Sequence, residues 1–292
     1  MKLLNTCPLC NNGSLAPYAM KFQAGFPHLS RTICKNCFLV FANPMADLNE
    51  LLLFYANYYD KGNFGALGYK QKVTDRVRLL SAKPVKELKK ENRNISHYKK
   101  GGNFLDVGFG LGEQLYIAQR LGFVVYGTEF DMDCIRFFKN ILPEANLFNG
   151  NLTEAAYQDD FFDTVNVCHV IEHLIDPVDY VKELKRITKP GGILIISTPD
   201  IGAWPYRLFR IANFFSLKIP LIVEGLEHTV IFNKKNLSQL LSDNGLTVLE
   251  HYSESIHDSW SNISKSKLGF IKKILRFCQT KLRINQVVIC RK

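Results

Sequence analysis

Two cysteine pairs carry the first recognisable chemistry in this 292-residue chain. Cys7 and Cys10 form CPLC, Cys34 and Cys37 form CKNC, and residues 11–33 lie between them. A two-residue spacer turns both sulfurs of a knuckle toward one centre, and two knuckles complete a tetrahedral four-thiolate zinc site. Such a site is closed, so it serves stability rather than catalysis. A disulfide pair and a redox CxxC are the competing readings. The first lacks a secretion signal, and the second lacks a thioredoxin-like context. The other cysteines (Cys134, Cys168, Cys278 and Cys290) sit among apolar residues and read as small buried hydrophobes.

A second group lies in LDVGFGLGEQL, where Gly108, Gly110 and Gly112 follow an apolar run and open a helical one. Glycines there let backbone amides approach a ligand. Asp106 precedes the first glycine by two positions, and Glu129 ends the next apolar run. A carboxylate at a strand end can accept both hydroxyls of a ribose. An acid beside the glycine turn would repel a pyrophosphate and suits a ligand bearing an amino group and a positive charge.

These residues need a scaffold, and the hydropathy pattern predicts one. Short apolar strands are expected at 103–108, 124–129, 145–149, 164–170 and 192–198, with helices at about 112–121, 131–140, 177–188 and 234–244. Alternation of this kind implies an α/β, doubly wound, parallel sheet whose ligands bind at the C-terminal strand ends. KPGG (189–192) reads as the stop of one helix and the turn into a strand. GLTVLEHY and QVVICRK read as two further strands. Upstream, FLVFA is a strand and Asp47 an N-cap. Tyr55, Tyr58 and Tyr59 suit a core or a ligand, and residues 69–100 read as Lys-rich helix. The expected organisation is a zinc ribbon at 1–45, a helical connector or cap at 46–102, and a nucleotide-type domain at 103–292.

The segments FLDVGFGLG, YGTEFD, DFFDTVNVCHVIEHLIDP and LKRITKPGGILIISTPD occur in this order. Together they resemble the class I S-adenosylmethionine-dependent methyltransferases, in the branch related to the ubiquinone-biosynthesis O-methyltransferases. The likeness covers most of residues 100–292. The CPLC/CKNC ribbon with LVFANP and the tyrosine cluster resembles the N-terminal module of many bacterial methyltransferases, often sugar- or polysaccharide-related. The sugar C-methyltransferases among them usually carry a further C-terminal domain, which this length is too short to hold. The resemblance implies a seven-stranded, mostly parallel, Rossmann-like sheet with its last strand antiparallel. It implies that the loop of Gly108, Phe109 and Gly110, with Asp106, meets the methionine part of S-adenosylmethionine. Glu129 would hold the ribose and Phe130 the adenine. Asn151 and Leu152 would follow the third strand where relatives often carry Asp, and His169 would border the methionine moiety. Asp163 reads as strand-end packing.

Methyl transfer to a hydroxyl needs alignment and a general base. Two Glu-His pairs qualify: Glu172-His173 in VIEHL and Glu227-His228 in EGLEHTVIF. The resemblance favours His228 as base, with His173 or Glu227 helping; local structural roles are the other reading. Residues 201–230 read as a lid and acceptor-binding insertion or as core-capping helices, with Arg207, Arg210 and Lys218 among aromatics.

Charge sharpens the partners. The chain carries +10, from 37 Lys+Arg against 27 Asp+Glu. Residues 101–250 hold 12 basic and 19 acidic groups, so the surplus belongs to the flanks. The stretch 11–33 offers only Lys21 and Arg31, which argues against nucleic acid. The segment 265–283 is cationic and amphipathic, compatible with peripheral membrane contact. The expected function is S-adenosylmethionine-dependent O-methylation of a small-molecule or carbohydrate-type acceptor in the cytoplasm. C- or N-methylation of a nucleotide-linked sugar is the alternative within the class. A zinc-ribbon RNA-binding protein with an inactive or RNA-directed methyltransferase domain is the alternative outside it.

Overall fold

A computed structural model describes residues 2–18, 30–47, 49–50, 66–110, 112–204, 206, 228–254 and 283–292. Its centre is a seven-stranded sheet. The strands are β4 (Gly102–Val107), β5 (Phe123–Glu129), β6 (Asn146–Asn149), β7 (Phe162–Cys168), β8 (Thr188–Pro199), β10 (Thr247–Glu254) and β11 (Asn285–Arg291). Their order is β10-β11-β8-β7-β4-β5-β6. β4 pairs in parallel with both β5 and β7, and β7 pairs in parallel with β8. Only β11 runs against its neighbours. The sheet is therefore mostly parallel and doubly wound, as the alternating pattern requires.

Strand periodicity divides the core in two, because successive side chains face opposite sides. Leu105, Val107, Val165, Val167, Leu194, Ile196 and Val288 face α6 (Pro177–Ile187) and α7 (Lys234–Asp243). Phe104, Ile193, Ile195, Val287 and Ile289 face the other way. There they meet α4 (Glu113–Arg120), α5 (Met132–Ile141) and the connector helices α1 (Ala66–Ala82), α2 (Val85–Glu91) and α3 (Arg93–Ser96). The helix starts are encoded locally. Asp131 accepts from the Asp133 and Cys134 amides, and Asp176 accepts from Val178 and Asp179 ahead of Pro177 at the first helical position. Asn233 and Asn236 cap α7 reciprocally. The same device joins Asp47 and Glu50.

The KPGG expectation is corrected. α6 ends at Ile187, and Thr188 already belongs to β8, which runs through KPGG. The register slips between Phe162 and Thr164, and Gly191 donates to the Lys292 carbonyl while Lys292 donates to Gly192. Pairing with the C-terminal residue thus keeps Pro190 and its glycines within an irregular strand rather than in a free turn.

The N-terminal strands β1 (Leu15–Tyr18), β2 (Arg31–Cys34) and β3 (Val40–Ala42) form a second sheet with β9 (Val230–Ile231). β9 comes from the far end of the sequence, and it pairs antiparallel with β3, Val40 opposite Ile231 and Phe41 opposite Val230. Leu39, Phe41 and Met45 share one buried cluster with Ile171, Phe232 and Leu237. Tyr55, Tyr58, Tyr59, Cys278, residues 207–227 and most of 265–283 lie outside the described residues. No helix among the described residues is long and apolar enough to cross a membrane.

Candidate functional site

The first half of the site lies where β4 and β5 end. Gly108 has φ 62°, and a Cβ there would come within 2.8 Å of Val170 Cγ2. Gly112 has φ 67°, and its Cβ would sit 2.2 Å from the Phe138 ring. The turn therefore excludes side chains for reasons of both backbone strain and space. Within it the Gly110 amide donates to Glu129 Oε2 at 2.9 Å. Phe130 and Asp131 amides donate to Glu129 Oε1 at 2.8 and 3.2 Å. Three amides thus fix one carboxylate at the strand end, even as burial raises its pKa.

Asp106 is buried beneath the turn, 3% exposed, and accepts from Asn166 Nδ2 at 2.7 Å. Burial pushes its pKa up to about 7, the Asn166 bond opposing and the Glu129 charge adding. Buried Asp106 and half-buried Glu129 thus place two acids at this turn, where a positive charge would be favoured. Phe109 turns inward, its ring 5.7 Å from Phe138 in the core, so its backbone rather than its ring borders the turn. Leu152 is likewise core, 1% exposed. Asn151 sits in a turn, its amide bonded to Glu154 Oε2 at 2.8 Å, and Phe130 is half-buried. Asn149, not anticipated, braces the Glu129 and Phe130 carbonyls at 3.0 and 2.9 Å.

The second half lies where β7 and β8 end. His169 adopts φ 55° and bonds through Nδ1 to Glu172 Oε1 at 3.0 Å. Its Nε2 lies 3.3 Å from Asn285 Nδ2. Glu172 is 1% exposed, and its Oε2 accepts from Thr198 Oγ1 at 2.9 Å. Burial alone would raise this carboxyl; the His169 bond and the charges of His169, His173 and His228 bring it down to about 2. Burial alone would lower His169; Glu172 raises it instead. The result is an ion pair under the strand ends. The His173 and His228 rings lie with centroids 4.9 Å apart and planes tilted by 38°. Ligand atoms of Glu172, His173 and His228 all lie within 4.8 Å of one another, close enough to hold a metal ion between them. His228 is buried at 8% exposure. Its neighbour Glu227 lies outside the described residues.

Cys168 corrects its expectation as a buried hydrophobe: at the end of β7 it is exposed. Asn166, Thr198 and Asn285 were also unanticipated. Asn166 was visible as one polar residue in the apolar run TVNVC. Thr198 meets the site through the β7–β8 pairing, and Asn285 through the β8–β11 register, which places it opposite Pro199.

The four ribbon cysteines bring their sulfurs within 4.8 Å of one another, Cys7 to Cys37 and Cys10 to Cys34 both at 3.6 Å. A tetrahedron with zinc–sulfur bonds of about 2.3 Å has sulfur–sulfur edges of about 3.8 Å. The Leu9 amide points at Cys7 Sγ at 3.4 Å. The Cys37 thiol beside it lowers Cys7 to about 5 despite burial. The donor set fits a closed metal centre.

Comparison with known proteins bears on the family and the fold. A relative named as a probable S-adenosylmethionine-dependent methyltransferase, from Mycolicibacterium smegmatis, is 30% identical over 108 residues, covering 37% of this chain and 42% of its own. This chain thus spans less than half of that relative. A demethylmenaquinone methyltransferase from Listeria welshimeri is 26% identical over 215 residues, covering 67% of this chain and 89% of its own. Among solved structures, a chain from the complex of the Haloferax volcanii Trm112 methyltransferase activator with a methyltransferase superposes with a TM-score of 0.51. It is 13% identical and covers 83% of this chain and 97% of its own, a likeness of fold. The model of the methyltransferase domain family matches residues 74–251. With that match running through more than half of its length, the chain belongs to the methyltransferase domain family.

Proposed function

We propose that the enzyme methylates a hydroxyl oxygen of a small-molecule or carbohydrate-type acceptor, with His228 as general base. The observation that carries this is the His173–His228 pair, ring centroids 4.9 Å apart, beside the buried Glu172 at the edge where β7 and β8 end. S-adenosylmethionine supplies an electrophilic methyl group on a positively charged sulfur. The Glu129 carboxylate, with amides on three of its about four lone-pair sites, keeps one on Oε2 for a ribose hydroxyl, and Asp106 ionises against a cation. Phe130 and Asn151 border the adenine side, and His169 with the backbone of Gly108, Phe109 and Gly110 borders the methionine side. The acceptor oxygen bonds to the methyl carbon as the carbon–sulfur bond breaks toward sulfur. Its proton passes to the His228 imidazole. His173, and Glu227 beside His228 in sequence, assist that base. Zinc on Cys7, Cys10, Cys34 and Cys37 holds the ribbon.

The test pairs wild type and His228→Ala, with S-adenosylhomocysteine release measured over a panel of phenols, quinols, glycosides and nucleotide sugars. Loss of about a hundredfold in turnover at saturating S-adenosylmethionine supports the base; unchanged turnover rejects it. The product's carbon NMR separates a methoxy group from N- or C-methyl. Elemental analysis that finds no zinc rejects the metal assignment.

A further inference from the structure

The ribbon is joined to the acceptor end of the site by bonds that its distance in sequence conceals. Among the described residues β9 is the edge of the ribbon sheet, with β3 as its strand neighbour. It begins two residues after His228. The His228 carbonyl accepts from Arg31 Nη1 and the Thr229 carbonyl from the Ala42 amide, the latter at 2.8 Å. Arg31 belongs to β2, three residues before the ligand Cys34, and is 4% exposed. From the other side, Asn236 Nδ2 donates to the Cys37 carbonyl at 3.3 Å, tying α7 to the second knuckle. The short turn after β7 holds the same segment by side chain: Thr229 Oγ1 donates to the Glu172 and Leu174 carbonyls at 3.1 and 2.6 Å. The 228 and 229 carbonyls and the β9 pairing thus engage the ribbon, and a two-residue strand does not persist without its partner.

We propose that the ribbon is a working part of the acceptor site: Arg31 and β3 position His228, so metal occupancy of the four cysteines sets the order of that segment. Arg31 acts as a positioning residue through the His228 carbonyl, not as a catalytic one. The cofactor end, built from β4 and β5, draws none of these bonds from the ribbon and keeps its order when the metal leaves. The inference rests on the reading of His228 as base and of the cysteines as a zinc site.

Hydrogen–deuterium exchange on the full-length protein tests it without an identified acceptor. Peptides spanning 228–233 are followed in wild type, after chelation, and in Arg31→Met and Arg31→Lys, with S-adenosylmethionine affinity measured by calorimetry on each. The expected result is exchange at 228–233 faster by about tenfold or more after chelation and in Arg31→Met. Arg31→Lys, which keeps a donor, recovers part of the protection. Zinc content in Arg31→Met stays at the wild-type level, and S-adenosylmethionine affinity stays within about threefold throughout. Protection at 228–233 that survives both chelation and Arg31→Met overturns the inference. So does a loss of cofactor affinity that parallels the exchange, which would mark general unfolding. Failure of the base reading appears elsewhere, as unchanged turnover in His228→Ala, and leaves the exchange result intact.

Discussion

Replacing Asp106 by Asn should make the unliganded protein more stable and a poorer binder of S-adenosylmethionine. Asp106 titrates near 7 in the folded chain because burial opposes its charge, against about 3.9 in an unfolded one. The sign follows from proton counting. Below about pH 4 both states hold the proton and the carboxyl costs nothing. As pH rises through the interval from about 4 to 7, the unfolded chain releases its proton first, and stability falls. Above pH 7 the full penalty is present, about 3 pKa units or about 4 kcal/mol as an upper bound. An asparagine oxygen can still accept the Asn166 bond now made at 2.7 Å, so the exchange removes the charge and keeps the contact. Urea unfolding without cofactor should therefore show Asp106→Asn more stable by about 1–3 kcal/mol at pH 8. The advantage should shrink toward zero at pH 4. Calorimetry should show the opposite ordering for S-adenosylmethionine: wild-type affinity falls as pH drops through 7, while the variant binds about tenfold or more weakly at pH 8 and shows no such slope. A stability difference that is flat in pH, or a wild type more stable at pH 8, would refute the reasoning.

Other substitutions probe the frame around the two halves of the site. Gly112→Ala should cost more than about 2 kcal/mol in chemical denaturation, because its Cβ meets the Phe138 ring at 2.2 Å. Gly122→Ala, at φ 95° with nothing within 4 Å, should cost only about 1–2 kcal/mol of backbone strain. Equal costs would argue against the steric account. Glu172→Gln should destabilise by up to about 3 kcal/mol at pH 7. That penalty should vanish as pH falls toward 2, where the wild-type carboxyl also takes up its proton. The same variant should lower the His169 titration midpoint in NMR. Cys34→Ser should abolish stoichiometric zinc and lower the melting temperature, read by elemental analysis and scanning calorimetry; retention of metal would count against four-thiolate ligation.

Much of the cofactor half was legible because it is local. The glycine turn, Asp106 and Glu129 lie within 24 residues, and strand, turn and strand bring them together whatever else the chain does. Helix starts were legible for the same reason: Asp131, Asp176 and Asn233 bond to amides two or three residues on. The cysteine spacing carried its geometry in the same way. KPGG was misread because a local signal for a turn was overridden by pairing with Lys292, about a hundred residues away. Cys168 was misread because apolar neighbours in sequence do not fix which strand end is left open.

The acceptor half was not local. Glu172 stood out as half of a Glu-His pair, but its partners Thr198 and His169, and Asn285 behind them, meet only through the register of β7, β8 and β11. The ribbon looked like a separate stabilising module, and nothing in CPLC or CKNC tells that Arg31 reaches a carbonyl 197 positions away. The sequence alone determined the local frame: short-range spacing and periodicity specify a four-cysteine ribbon, a doubly wound sheet and a glycine turn flanked by two acids. Tertiary structure decided which histidines meet, which acids are buried enough to shift, and that the ribbon grips the His228 segment. Those outcomes depend on strand register and desolvation, which arise only when distant segments pack.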